Sequence, residues 1–177
     1  MSRSSLNNTA GFSLIEVLVT LIILMTGLLG LAGLQGRALT SQMESYQRSQ
    51  ALILIKDMES RINANRANTS FYATSATAPL GVGYADCTGT TTASIDLCEW
   101  SSALKGSAEG TGLGAMIGAR GCIYELSSAA PKKYLIAVAW QGLTATAAPA
   151  VDCGEGSYGN DAQRRIITIP ITIANLD

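Results

Sequence analysis

Two groups of residues in this chain have types and spacings that could do chemistry. The first is Gly11-Phe12-Ser13-Leu14-Ile15-Glu16, at the head of a long apolar run. A carboxylate inside such a run is costly near a bilayer centre, and a simple membrane anchor has no need of it. Glu16 therefore asks for a partner. The second group is Cys87, Cys98, Cys122 and Cys153, all beyond the apolar run. None of them forms a C-x-x-C pair, which argues against zinc. An even count in a segment exported from the cytoplasm reads instead as two disulfides; four buried free thiols are the alternative.

Other chemistry is sparse. Histidine is absent, which removes the commonest general base and the commonest metal ligand. There is no G-x-S-x-G elbow, no Walker loop and no H-E-x-x-H. No carboxylate pair stands out, so no catalytic residue, metal ligand or cofactor is assigned, and the chain is expected not to be an enzyme. Net charge is −1, one unit more negative if Arg3 is lost. Such a balance offers no general phosphate-binding surface, and no nucleic-acid partner is expected. Arg164-Arg165 and Lys132-Lys133 are the adjacent basic pairs, read as solvated strand ends.

The elements that position these residues follow from periodicity. Val17 to Leu34 carries no charge, and Thr20 and Thr26 are its polar side chains; this meets the length for a membrane-spanning helix. Phe12 to about Asn65 reads as one helix, uninterrupted by proline. At 1.5 Å per residue that is a rod of about 80 Å, more than twice what a bilayer core requires. Its second half is amphipathic. Ala51, Leu54, Ile55, Met58 and Ile62 recur at spacings of three and four, with Gln47, Arg48, Lys56, Asp57, Glu59 and Arg61 on the opposite side. The stripe is too short for a sustained coiled-coil seam, and a sheet of the same chain is its expected partner. Gly27, Gly30, Gly33 and Gly36 each cost up to about 1 kcal/mol relative to alanine in a helix. They mark either a weak point of the rod or a place of close helix packing.

Asn65 to Ser94 is rich in Asn, Ala, Thr, Ser and Gly and reads as loop, with room for one short strand. Asn68-Thr69-Ser70 is a glycosylation sequon of a kind common by chance. Ser94 to Lys105 reads as a short helix, with Ser94 as N-cap, Asp96 in the first turn and Gly106 as the stop. Leu97, Trp100 and Leu104 give it an apolar face, Trp100 as a core anchor. Gly106 to Gly121 is irregular. Cys122 to Leu126, Tyr134 to Trp140 and Arg165 to Ile173 read as half-buried strands of period two. Pro170 makes the last one an edge, or bulges it. Of the three pairings that four cysteines allow, Cys87–Cys98 and Cys122–Cys153 are expected. The first would tie the loop to the short helix, the second the first strand to the long loop Gln141 to Arg164. In the chain-entropy model these would contribute about 3 and about 4 kcal/mol.

The stretch from Gly11 to Glu16, with a short polar leader before it and an apolar helix after, resembles the N-terminal signature of type IV pilins and type II secretion pseudopilins. The resemblance implies an α+β fold, with a long N-terminal helix packed on a small antiparallel sheet. It implies a leader at 1–11, a transmembrane and assembly half of the helix at 12–36, an amphipathic half at 37–65, and a periplasmic globular domain at 66–177. It implies that a prepilin peptidase cuts between Gly11 and Phe12 and methylates the Phe12 amine. The new amine would then face Glu16, within one chain or, as the resemblance favours, between neighbouring subunits in a dry bundle. The alternative is a carboxylate near the headgroups, neutralised by water or a proton. The cysteines, Asp96 with Trp100, the strand ending in Trp140 and the Arg-Arg-led last strand are similar to the PilV group of minor pilins. That likeness implies a subunit that helps prime a type IV pilus. Its partners would be other minor pilins, the major pilin and a tip adhesin. It would sit in the inner membrane before assembly and on the cell surface afterwards. A secretion pseudopilin is the nearest alternative, and a membrane-anchored periplasmic binding domain the alternative from another class.

Overall fold

A computed structural model describes residues 11–82, 87–106 and 116–174. The expected leader up to Ala10, Gly83, and most of the glycine-rich segment before Met116 lie outside the described residues. The chain divides into two compact units, Met1–Ser41 and Gln42–Asp177.

Helix α1 spans Leu14–Ala64. In the first unit its apolar side chains are exposed, and among the described residues α1 is the helix long and apolar enough to cross a membrane. The polar groups in this stretch are satisfied internally. Thr20 Oγ1 donates to Val17 O at 2.8 Å, and Thr26 Oγ1 to Ile23 O at 2.9 Å. A membrane helix requires just that, since lipid offers no partner. A Cβ added at Gly27, Gly30, Gly33 or Gly36 would meet nothing within 4 Å. Among the described residues, therefore, none requires glycine at these positions by close approach.

In the second unit α1 buries Gln47, Ala51, Ile55, Met58 and Ile62. Gln47 departs from the sequence reading, which set it on the polar side. It lies four residues before Ala51, so helical geometry turns it inward with the stripe. A 3-10 helix, Arg66–Tyr72, follows where a loop was expected. Helix α2 spans Thr92–Leu104, starting two residues earlier than expected. Thr91 is the N-cap, and Ser94 closes a capping box with it. Asp96 thus lies beyond the first turn. Gly106, at φ +78°, ends the helix as expected, in a conformation glycine adopts without strain.

Three strands form one antiparallel sheet in the order β1-β2-β3: β1 Ile117–Ser127, β2 Lys132–Gln141 and β3 Arg164–Ile173. β3 is an edge strand, and its register with β2 runs unbroken through the Leu135–Pro170 pair. The edge reading of Pro170 therefore holds and the bulge does not. One face of the sheet packs on α1 and α2 through Ile123, Tyr134, Ile136, Val138 and Trp140. The opposite face is not open, as half-buried strands would leave it. Ala137 and Ala139 are buried there with Cys122 and Cys153, under the long segment between β2 and β3. The small alanines leave room for that second layer.

Candidate functional site

The N-terminal signature is fully displayed. Phe12 is 85% exposed, and Glu16 is exposed. A Cβ at Gly11 would meet nothing within 4 Å. Gly11 and Phe12 precede the first helical residue, Leu14, so the bond between them lies in non-helical backbone. Phe12 is therefore not in helical register with Glu16. Glu16 instead occupies the first turn of α1, and its N–H donates to Ser13 O at 3.0 Å. A carboxylate in the first turn is favoured by the helix dipole. The sequence reading missed this favourable term for Glu16.

At the far end of α1, helix geometry gathers a polar cluster. Arg61 Nε donates to Asp57 Oδ2 at 3.0 Å, one turn back along the helix. Its Nη1 donates to Asp96 Oδ1 at 3.0 Å and Glu99 Oε2 at 2.6 Å, both on α2. Burial draws the guanidinium down, but the bonds to Glu99, Asp57 and Asp96 outweigh it and hold the group above its ordinary value. Tyr72 OH donates to Asp96 Oδ2, and Asn65 Nδ2 donates to Tyr72 OH at 3.1 Å. Burial, then the bond to Asp96, pushes the Tyr72 phenol up to about 12. Asp96 thus joins α1, the 3-10 helix and α2. It acts as a junction rather than as the first-turn helix residue read from sequence.

Trp100 is the core anchor that was expected: it is 0% exposed. Its Nε1 donates to Leu54 O of α1 at 2.8 Å. Tyr134 OH donates to Thr69 Oγ1 at 3.1 Å, which holds the middle residue of the Asn68 sequon inside the fold while Ser70 stays exposed. Cys87 is bonded to Cys98 and Cys122 to Cys153. The first bond fastens α2, the second joins β1 to the segment over the far face of the sheet.

The Arg164-Arg165 pair overturns the solvated-end reading. Arg164 is 1% exposed. Its guanidinium grips Asp161 and the carbonyls of Pro149, Val151 and Cys153. The Asp161 bond raises Arg164 and lowers Asp161 from their ordinary values. Arg165 donates to Glu44 Oε1 at 3.3 Å and to Thr144 O and Thr146 Oγ1, each at 2.7 Å. Buried-face alternation at the start of β3 explains both: each arginine turns to a different layer. Lys133, by contrast, is exposed as expected.

Among the described residues no group of three metal-capable side chains gathers. The clustered carboxylates bond to arginine, tyrosine or backbone. The arrangement is that of an exposed N-terminal signature on an apolar helix, and of a braced globular unit.

Comparison with known families gives two matches. Residues 6–32 match the prokaryotic N-terminal methylation motif. Residues 33–102 match a family described as type IV pilin Tt1218. The second match takes in the globular part of α1, the 3-10 helix and most of α2, including Arg61, Tyr72, Asp96 and Trp100. No curated protein and no solved structure matches the chain.

Proposed function

From the premise that the chain is a type IV pilin bearing the N-terminal methylation motif, we propose that it is a minor pilin of the PilV kind. Type IV pilins assemble with other pilins, and the methylation motif implies processing by a prepilin peptidase. The family is a structural one, not an enzyme family. The finer reading is that the chain primes pilus assembly and stays at or near the tip.

The observation that carries it is Asp96. This residue belongs to the PilV-like set noted in the sequence, and it is also where Arg61 and Tyr72 converge. Trp100, one turn on, is tied to α1. The residues that suggest the subgroup are thus those that fix α2 against the long helix. In this reading residues 1–11 are the leader, 12–36 the membrane and assembly half, 37–65 the amphipathic half, and 66–177 the periplasmic domain. Cleavage frees the Phe12 amine. Glu16 of an incoming subunit pairs with Phe12 of the one before it, in a bundle interior where low dielectric strengthens the attraction. The subunit waits in the inner membrane and joins the pilus through its helix. Other minor pilins, the major pilin and a tip adhesin are its partners.

The test joins deletion with Glu16→Leu. Deletion should abolish surface pili; loss of protein secretion with pili intact would identify a pseudopilin instead. Glu16→Leu should be inserted and cleaved normally but recovered in reduced amount with the other minor pilins in a pull-down. Recovery equal to the parent would remove the charge pairing and leave Glu16 as an interfacial charge.

A further inference from the structure

Arg164 spends every donor it has. Nε donates to Asp161 Oδ1 at 2.6 Å, and Nη2 to Asp161 Oδ2 at 2.8 Å and Pro149 O at 3.2 Å. Nη1 donates to Val151 O and, at 3.1 Å, to Cys153 O. A guanidinium has five N–H donors, and all five are filled at a site that is 1% exposed. Asp161 is itself placed. The side chain of Asn160 accepts from Ala162 N–H and starts the 3-10 helix Asp161–Gln163 that leads into β3. The carbonyls of Pro149, Val151 and Cys153 all turn to the guanidinium, although the chain bends at Ala150 and Val151 and turns at Cys153.

One of those carbonyls is that of a disulfide cysteine. Cys153 is fully buried beside Cys122, Ala137 and Ala139. None of the five bonds involves a sulfur atom, so each can form while both cysteines are still thiols. Arg164 in turn is anchored through β3, where it faces Gln141 of β2, and Cys122 faces Ala137 of the same strand. The sheet register therefore fixes Arg164 relative to Cys122, and Arg164 fixes the backbone of Cys153.

We propose that Arg164 is a template for oxidative folding: it holds the dithiol chain so that Cys153 meets Cys122 rather than Cys87 or Cys98. The chemistry is ordinary exchange. The thiolate of one cysteine attacks a small oxidised disulfide and releases one reduced thiol. The second cysteine's thiolate then attacks the mixed disulfide and releases another. The pair loses two electrons and two protons, and the oxidant becomes two thiols. Arg164 touches no sulfur and is a positioning residue, acting on the probability that the two cysteines meet.

The test uses the full chain in detergent, reduced and then equilibrated with oxidised and reduced glutathione. The readouts are non-reducing peptide mapping and the effective concentration of Cys122 for Cys153. Arg164→Met should lower that effective concentration by about tenfold or more, as loss of several charge-assisted bonds implies, and raise the share of mispaired chains. Arg164→Lys should fall short of the parent, because an ammonium lacks the fork. Arg165→Met, which leaves the Cys153 contact intact, should stay near the parent. An Arg164→Met chain with the parent's effective concentration and pairing overturns the proposal. Should Arg164→Met fail to fold, a Cys122→Ser/Cys153→Ser chain decides. With Arg164 present, the amides of Glu155 and Ser157, which donate to Asp152 O and Gly154 O beside the gripped segment, should remain protected from hydrogen exchange to within about tenfold of the parent. If they exchange freely while β2 stays protected, the clamp depends on the disulfide and the proposal fails.

Discussion

Gly121→Ala tests the packing of the globular unit with a single carbon. A Cβ at this position would stand 2.3 and 2.5 Å from Cζ3 and Cη2 of Trp100, and 2.6 Å from Cδ1 of Leu104. Carbon atoms pack at about 3.5–4 Å, so three atoms are overrun together. Neither side can retreat easily. The indole is wholly buried and tied to Leu54 O at 2.8 Å. The backbone of Gly121 exchanges hydrogen bonds with Leu80 at 2.9 and 3.0 Å and lies opposite Val138. Overpacking of this kind costs about 1–3 kcal/mol, and more where nothing yields. Stiffening of the unfolded chain returns about 0.4–1 kcal/mol. The net loss should be about 2 kcal/mol, a fall of about 4–8 °C in melting temperature for a chain of this size. Thermal melts of the detergent-solubilised chain, followed by near-ultraviolet circular dichroism of tryptophan, would read it. Gly142→Ala, whose Cβ would meet the flexible Arg165 side chain, should cost less. In a Trp100→Phe background the second ring is gone, and the cost of Gly121→Ala should shrink by half or more. A Gly121→Ala chain that melts within about 1 °C of the parent, or a cost that is unchanged in the Trp100→Phe background, would refute the packing account.

Three further outcomes follow from the geometry. Gly11→Val should leave the leader attached, and mass spectrometry finding a mature start other than Phe12 would defeat the processing reading. Asp96→Asn keeps the shape but removes the charge shared by Arg61 and Tyr72; it should lower stability by about 1–2 kcal/mol, read as a shift in denaturation midpoint. At alkaline pH the fold should weaken. Burial raises Tyr72 and Tyr158 from 10.0 to about 12, and raises Tyr124 and Tyr134 as well. A phenol held above its unfolded value stabilises fully below that value. Its contribution is lost as pH climbs from about 10 toward 12. A melting temperature that stays level across that window would contradict the burial of these rings.

The elements set by periodicity were readable: α1, α2 and the three strands stand close to where alternation and helical spacing put them, but β1 begins at Ile117, inside the segment read as irregular, because Gly118 and Gly121 hide its alternation. Ile167 and Ile169 face the main core with Ile171 and Ile173, as their alternation requires. Pro170 narrowed β3 to an edge or a bulge, and the unbroken register with β2 decides for the edge. What could not be read depended on contacts far along the chain. The 3-10 helix at 66–72 has polar composition and no apolar period, and it is held by Tyr72 and Thr69 reaching Asp96 and Tyr134. Arg164 looked like a surface charge because arginine usually is one. Its burial depends on carbonyls from an irregular segment that carries no pattern. Gln47 was misassigned by residue type, although its spacing from Ala51 held the correct answer. At the N-terminus Gly11, Phe12 and Glu16 were legible as a motif. The pairing proposed for Glu16 would lie between neighbouring subunits, and a single chain carries no contact that spells it out.

The sheet has two borders, and they are finished differently. Along β1, Leu80 exchanges hydrogen bonds with Gly121, and Thr74 exchanges them with Ile123. Along β3, the border carries Pro170, which has no donor to offer. Subunits confined to a membrane meet one another in two dimensions, at local concentrations far above those of a soluble protein, and with a common orientation. Those conditions favour strand-to-strand sticking between identical chains. A sheet hemmed on one border by its own loop and on the other by proline resists such gelation.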